Sequence, residues 1–129
     1  MYLTEAIGEF PLVGFLPGKC FDTGKLTRFG YIILQAKQDN MLCKAGEKIA
    51  GHEFHHWDST ANGTDFFAEK MNGRRWECVS ANENLYAGYP HFHFFANPEF
   101  ALNFYKTCLK WAGACDPVCH TMTEEKSYV

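Results

Sequence analysis

Two histidines stand two residues apart in the aromatic run Gly88-Tyr-Pro-His-Phe-His-Phe-Phe-Ala-Asn-Pro-Glu-Phe-Ala101. In an extended strand, side chains two apart share a face, so the imidazoles of His91 and His93 are expected to point the same way. A histidine at a strand end, just before a turn, is well placed to take a proton as a general base. Upstream lies a second cluster, Gly51-His-Glu-Phe-His-His-Trp57. Its His52-Glu-Phe-His-His56 satisfies the letters H-E-x-x-H of zinc metalloproteases, a chemistry that needs a helix to put both histidines on one face. The context opposes a helix: Gly51 precedes the motif, a strand-like Lys-Ile-Ala leads in, and a Trp-Asp-Ser-Thr loop follows. As a strand, the run sends His52 and His56 to one side and Glu53 and His55 to the other. The protease letters are read as a coincidence.

His52, Glu53 and His55 are better read as a hydrogen-bonded polar network beside the strand that carries His91. An alternative places His52, His56, His91 and His93 on adjacent strands, where imidazoles would gather zinc or nickel. Cys108, Cys115, Cys119 and His120 form a C-x6-C-x3-C-H pattern that matches no established zinc spacing. No metal site is assigned.

The elements that would position these groups are mostly strands. Residues 1–7 read as the start of a helix, too short to hold alone. Pro11, Gly14, Pro17 and Gly18 break the chain into turn and short strand. Arg28 to Ala36 and Lys48 to Trp57 read as strands, and residues 58–64 as a polar loop. Asn72-Gly73 between two β-rich runs, 65–71 and 74–79, is a strong hairpin signal. Further strands are expected at 84–89 and 91–95. Asn97 then suits an N-cap and Pro98 the first helical position. Phe100, Ala101, Phe104, Tyr105, Cys108 and Ala112 recur on one face of a helix over 98–112, closed by Gly113. The class is α+β and β-rich, with an ordered part over 1–113 and an irregular tail over 114–129.

Composition narrows the function classes. The chain has 129 residues, 47% hydrophobic and 16% aromatic with twelve Phe, so a real core is expected. A net charge of −3 without a basic stripe speaks against nucleic acid. No apolar run reaches the roughly 18 residues of a membrane span, and the N-terminus lacks the pattern of a signal peptide. Six cysteines without such a signal read as reduced thiols, and the cytoplasm is the expected compartment.

The ordered pieces Met1-Tyr-Leu-Thr-Glu-Ala-Ile7, Val13-Gly-Phe-Leu-Pro-Gly18, Leu26-Thr-Arg-Phe-Gly-Tyr31, Gly51-His-Glu-Phe-His55 and Tyr89-Pro-His-Phe-His-Phe-Phe-Ala-Asn-Pro98 carry a resemblance. Taken together they resemble the C-terminal glutamine amidotransferase domain of cobyrinic acid a,c-diamide synthase. The related cobyric acid synthase is the second choice. The resemblance implies the β-rich C-terminal half of a class I, flavodoxin-like amidotransferase domain, with His91 as the general base. In that family the segment like Met1-Tyr-Leu3 follows a Glu-Cys-Gly-Gly turn that bears the nucleophile. This chain begins just after it, so no nucleophile is assigned and none of the six cysteines stands in.

His93 falls where many triad amidotransferases carry a glutamate. Glutamine would be a substrate only of a complete domain. The ATP and magnesium of the family belong to a synthetase domain, and no Gly-x4-Gly-Lys-[Ser/Thr] phosphate loop occurs here. The expected product is thus a partial domain inactive on its own, self-associating as a homodimer or larger oligomer through a sheet face its usual partners leave uncovered. A non-catalytic assembly or binding module on the same fold, and the histidine-metal protein, are the other classes.

Overall fold

The computed structural model describes residues 1–113. In chain order the strands are β1 (Ala6–Ile7), β2 (Phe10–Pro11), β3 (Lys19–Asp22), β4 (Arg28–Ala36), β5 (Lys48–His55), β6 (Trp57–Ser59), β7 (Phe66–Glu69), β8 (Arg75–Cys78), β9 (Ser80–Ala81), β10 (Tyr86–Ala87) and β11 (His91–Phe92). A 3-10 turn over Phe94–Ala96 leads into the helix α1 (Pro98–Ala112). The architecture is therefore α+β, strand-rich with one C-terminal helix, as the sequence leads one to expect.

Strict alternation along β4 and β5 organises the larger sheet. Ile32, Leu34 and Ala36 face one side with Ile49, Gly51 and Glu53, all buried, while Phe29, Tyr31 and Ile33 face the other with His52 and Phe54. The two strands pair antiparallel from Arg28↔His55 to Gln35↔Lys48. β7 adds to the free side of β4, β8 to β7, and β11 to the free side of β5, giving the order β11-β5-β4-β7-β8 with every pairing antiparallel. The inner face closes into a core around Leu34, Ile49, Phe66, Val79 and Phe100. Burying one such Phe or Leu contributes about 1.5–3 kcal/mol.

The β7–β8 hairpin forms where Asn72-Gly73 stands. The Lys70 amide donates to Arg74 O at 2.9 Å and the Gly73 amide to Lys70 O at 2.9 Å, with Gly73 at φ 80°. Glycine takes that left-handed position without steric cost, which closes a three-residue loop. β5 kinks at His56, whose carbonyl accepts from Thr23 Oγ1 at 2.6 Å, and the chain continues as β6 into a second sheet of order β2-β1-β3-β6. So the expected strand to Trp57 stops at His55, and part of the expected 58–64 loop is strand. β1 with β3 is the one parallel pair among the described residues.

Residues 1–7 are not helical. Ala6–Ile7 pair with Phe10–Pro11 around the turn at Gly8, and Thr4 Oγ1 donates to the Met1 carbonyl at 2.7 Å. Long-range backbone partners outweigh the weak helical tendency of so short a segment. The helix at Pro98–Ala112 and its left-handed cap at Gly113, φ 65°, match expectation. Its packed face does not. Phe100 is buried, and on the same side Asn103 Nδ2 and Thr107 Oγ1 donate to the carbonyls of Leu42 (2.8 Å) and Met41 (3.3 Å), while Phe104, Tyr105 and Trp111 stay exposed. Backbone carbonyls of the 41–42 turn need partners, and meeting that need turns the helix away from its most apolar stripe. Asn97 holds the N-cap position without capping; its Nδ2 donates instead to Lys48 O at 3.0 Å, tying the helix start to β5.

Gly51 permits the closest approach in this layer. A Cβ there would lie 2.5 Å from the His91 carbonyl oxygen and 3.2 Å from Leu34 Cδ1. Gly51→Ala is therefore expected to push β11 off β5 and to destabilise the fold by about 1–3 kcal/mol. Thermal unfolding measures the loss, and faster amide exchange at His93, whose N–H donates to Ala50 O at 2.9 Å, locates it.

Candidate active site

The edge strand β11 is held by its inward residue. Phe92 packs on Phe100 at 5.6 Å and on Tyr86 at 4.8 Å between ring centroids, and alternation then turns His91 outward. His91 is the register partner of His52, and the two imidazoles stack with centroids 5.0 Å apart and planes 16° from parallel. Both side chains are exposed on the outer face of the sheet. His93 does not join them as expected. The strand ends at Phe92, His93 opens the 3-10 turn at φ −101°, ψ 89°, and the ring it approaches is that of Phe95, at 6.3 Å.

The inner face carries a different pair. Glu53 is 2% exposed and the His55 side chain 10%, with His55 Nε2 3.7 Å from Glu53 Oε1. His55 Nδ1 lies 2.6 Å from the Trp57 carbonyl, which can only accept, so Nδ1 carries a hydrogen. Nε2 then faces the Glu53 carboxyl at 3.7 Å, too far for a hydrogen bond, so the contact is one of charge alone. Burial pushes the His55 pKa down, but the Glu53 carboxylate and the Trp57 carbonyl outweigh it, and the net shift is upward. Nearby, burial raises the Cys78 thiol to about 12. Glu53 Oε2, His55 Nε2, Trp76 Nε1 and the Tyr86 hydroxyl are buried without hydrogen-bond partners. The expected hydrogen-bonded network of His52, Glu53 and His55 does not form; as the strand alternation leads one to expect, they fall into two pairs on opposite faces of β5.

A relay that sequence reasoning missed joins the inner pair to the start of the chain. Tyr89 stacks on His55 at 4.2 Å and 15°, and its hydroxyl donates to Cys20 Sγ at 3.7 Å. Thr4 has given its hydrogen to Met1 O, so the Cys20 thiol is the donor in the 3.4 Å contact with Thr4 Oγ1. Residues 1–4 are thereby tied to the segment that leads into His91. The only sequence signal was Tyr89 inside the His91 motif, since Cys20 and Thr4 lie far from it along the chain.

Of the four described cysteines, Cys20, Cys43 and Cys78 are buried and Cys108 is exposed. Cys43 is pushed up to about 11 by burial; the Cys20 thiol donates to Thr4 and accepts from Tyr89, and Cys43 Sγ pairs with the Asn40 side chain. No group of three or more His, Cys, Asp or Glu that could hold a metal ion occurs among the described residues. Of the H-E-x-x-H letters, His52 to His55 lie on a strand and His56 at the bend after it, with His52 exposed and Glu53 buried. Of the C-x6-C-x3-C-H pattern, Cys108 is exposed on α1, while Cys115, Cys119, His120 and the expected 114–129 tail fall outside the described residues. No described helix is long and apolar enough to cross a membrane.

Over 110 residues the chain is 38% identical to a cobyrinate a,c-diamide synthase of Fusobacterium nucleatum. It is 36% identical over 121 residues to one of Thermoplasma volcanium, and 34% over 105 residues to one of Clostridium acetobutylicum. These alignments take in 78, 87 and 78% of this chain but 23, 26 and 24% of the respective relatives. The chain thus spans about a quarter of the length of the curated relatives it matches. No family model matches it.

The inner pair makes stability depend on pH. A histidine whose folded pKa is raised contributes fully below its unfolded value of about 6.5, and loses that contribution as pH rises through the folded value. Glu53→Gln removes the carboxylate that raises it. Thermal midpoints from pH 5.5 to 8.5 are expected to show the parent's advantage over Glu53→Gln shrinking as pH rises. A difference constant across that range would mean that the attraction between Glu53 and His55 contributes nothing.

Proposed function

We propose that this chain, related over about four fifths of its length to the cobyrinate a,c-diamide synthases, carries the general-base part of a glutamine amidotransferase centre, with His91 as the base. The observation that supports it most is the placement of His91. Its imidazole stands on the open outer face, braced by the parallel ring of His52, on a strand pinned from behind by Phe92.

The chemistry such a base serves is thiol activation. A cysteine thiol, with a pKa of about 8.5 when free, becomes a nucleophile when a neighbouring imidazole takes its proton. The thiolate attacks the side-chain amide carbon of glutamine; the amide nitrogen leaves as ammonia once protonated, and water cleaves the thioester to glutamate. In a cobyrinate a,c-diamide synthase the ammonia would amidate two corrin carboxylates with ATP and magnesium. This sequence contains no Glu-Cys-Gly-Gly turn and no phosphate loop. These 129 residues therefore supply neither the nucleophile nor the amidating chemistry of this reading, and His52 is a positioning residue for the base.

Alone, the chain is expected to release no ammonia from glutamine above the buffer rate, because a base without its nucleophile offers no covalent route. A robust rate abolished by His91→Ala would overturn this and point to a recruited thiol. Adding the nucleophile-bearing segment of the Fusobacterium nucleatum relative is expected to generate glutaminase activity that falls at least ~100-fold with His91→Ala. Equal activity from the unmodified chain and the His91→Ala variant would exclude His91 as the base.

A further inference from the structure

The outer face of the large sheet is apolar at its centre. Phe29, Tyr31, Ile33 and Phe54, on the neighbouring strands β4 and β5, are 59, 85, 45 and 60% exposed. Together they present on the order of 500 Å² of side-chain surface, near the upper end for a free monomer. We propose that a second copy of this chain packs on this face across a two-fold axis.

Shape supports a copy over an unrelated partner. A two-fold contact uses one patch twice, so that patch must be complementary to itself. Here a projection and a recess lie side by side. Tyr31 stands out as the most exposed of the four. Beside it runs a groove of about 530 Å³ lined by Tyr31, Ile33, Lys48, Ala50, Glu69 and Met71. The groove is low because Ala50 is the register partner of Ile33, while the next outward pair, Tyr31 and His52, is tall. Tyr31 of each copy would enter the groove of the other. The rim carries both signs, Lys48 and Glu69, so an entering phenol hydroxyl meets donors and acceptors there.

Area supports it as well. About 500 Å² from each copy makes about 1,000 Å² in all, the area a specific interface should clear. His52 and His91 lie at the β11 edge of this same face. The dimer and a nucleophile-bearing segment therefore compete for one surface, and self-association shields the base.

Sedimentation equilibrium of the full chain at micromolar concentration tests the proposal. The expected species has twice the 14.7 kDa chain mass. Tyr31→Glu and Phe54→Glu, both at exposed positions, are expected to weaken the dimer about 30-fold or more, with circular dichroism unchanged. Phe104→Glu, on the exposed side of α1, should leave it intact. A monomer throughout the concentration range overturns the proposal, and so does a dimer broken by Phe104→Glu but not by the sheet variants. The unmodified chain gives a check free of folding effects: carbethoxylation of His52 and His91 should slow as concentration rises. A rate independent of concentration also overturns the proposal.

Discussion

The antiparallel ladder between β4 and β5 is the constraint on which the other parts depend. Eight residues of each strand are paired, from Arg28↔His55 to Gln35↔Lys48, and the two-residue period of the pleat assigns every side chain along them to a face. A slip of one residue would bury Phe29, Tyr31 and Phe54 and put Leu34, Ile49 and Glu53 in water. The ladder is also the platform for its neighbours. β7 takes its register from Ile33–Ala36, and β11 from Gly51 and His52. The orientation of His91 is thus inherited from the alternation of β5, and Phe92 in the core prevents the short edge strand from flipping.

Burying Glu53 is the least economical feature of that arrangement. A carboxylate removed from water loses several kcal/mol of solvation, and one partner at 3.7 Å offsets only part of it. Its second oxygen has no hydrogen bond, and Trp76 Nε1 and the Tyr86 hydroxyl on the same face lack partners as well. Apolar residues of similar volume would pack there at lower cost. What the polar pair achieves instead is geometric. His55 is held between Glu53, the Trp57 carbonyl and the ring of Tyr89, and Tyr89 reaches Cys20 and thence Thr4. The pair fixes the approach to β11 from one side while Gly51 lets it come close from the other.

Local signals were legible in the sequence and long-range ones were not. The Arg28–Ala36 strand, the Asn72-Gly73 hairpin and the Pro98–Ala112 helix each follow from patterns within a few residues: β-rich alternation, a glycine where the loop needs positive φ, a proline start and a glycine stop. The split of Glu53 and His55 from His52 was equally readable, since period two needs no partner to be known. Residues 1–7 and the packed face of α1 were misread for one shared reason. Each is decided by groups distant in sequence. Backbone partners at Gly18 and Cys20 hold the first residues extended, and the carbonyls of Met41 and Leu42 orient the helix. Of the site, His91 and its motif were visible from the sequence, but the stacking on His52 and the Tyr89–Cys20–Thr4 relay required the fold.

The apolar outer face and the role proposed for His91 express one requirement. A histidine that deprotonates a thiol must face a surface from which water can be removed, because a dry site strengthens the imidazole–thiol interaction and protects a thioester from early hydrolysis. A sheet face of Phe29, Tyr31, Ile33 and Phe54 around His52 and His91 meets that requirement only when something packs on it. Left bare, the same residues form a cohesive patch that will cover itself with whatever surface fits. The chemistry that the base calls for and the association that the face calls for therefore have a common origin in the outward positions of β4 and β5. Catalysis would require that face to be occupied by a thiol-bearing surface, and occupation by a copy of the chain puts an apolar surface in its place.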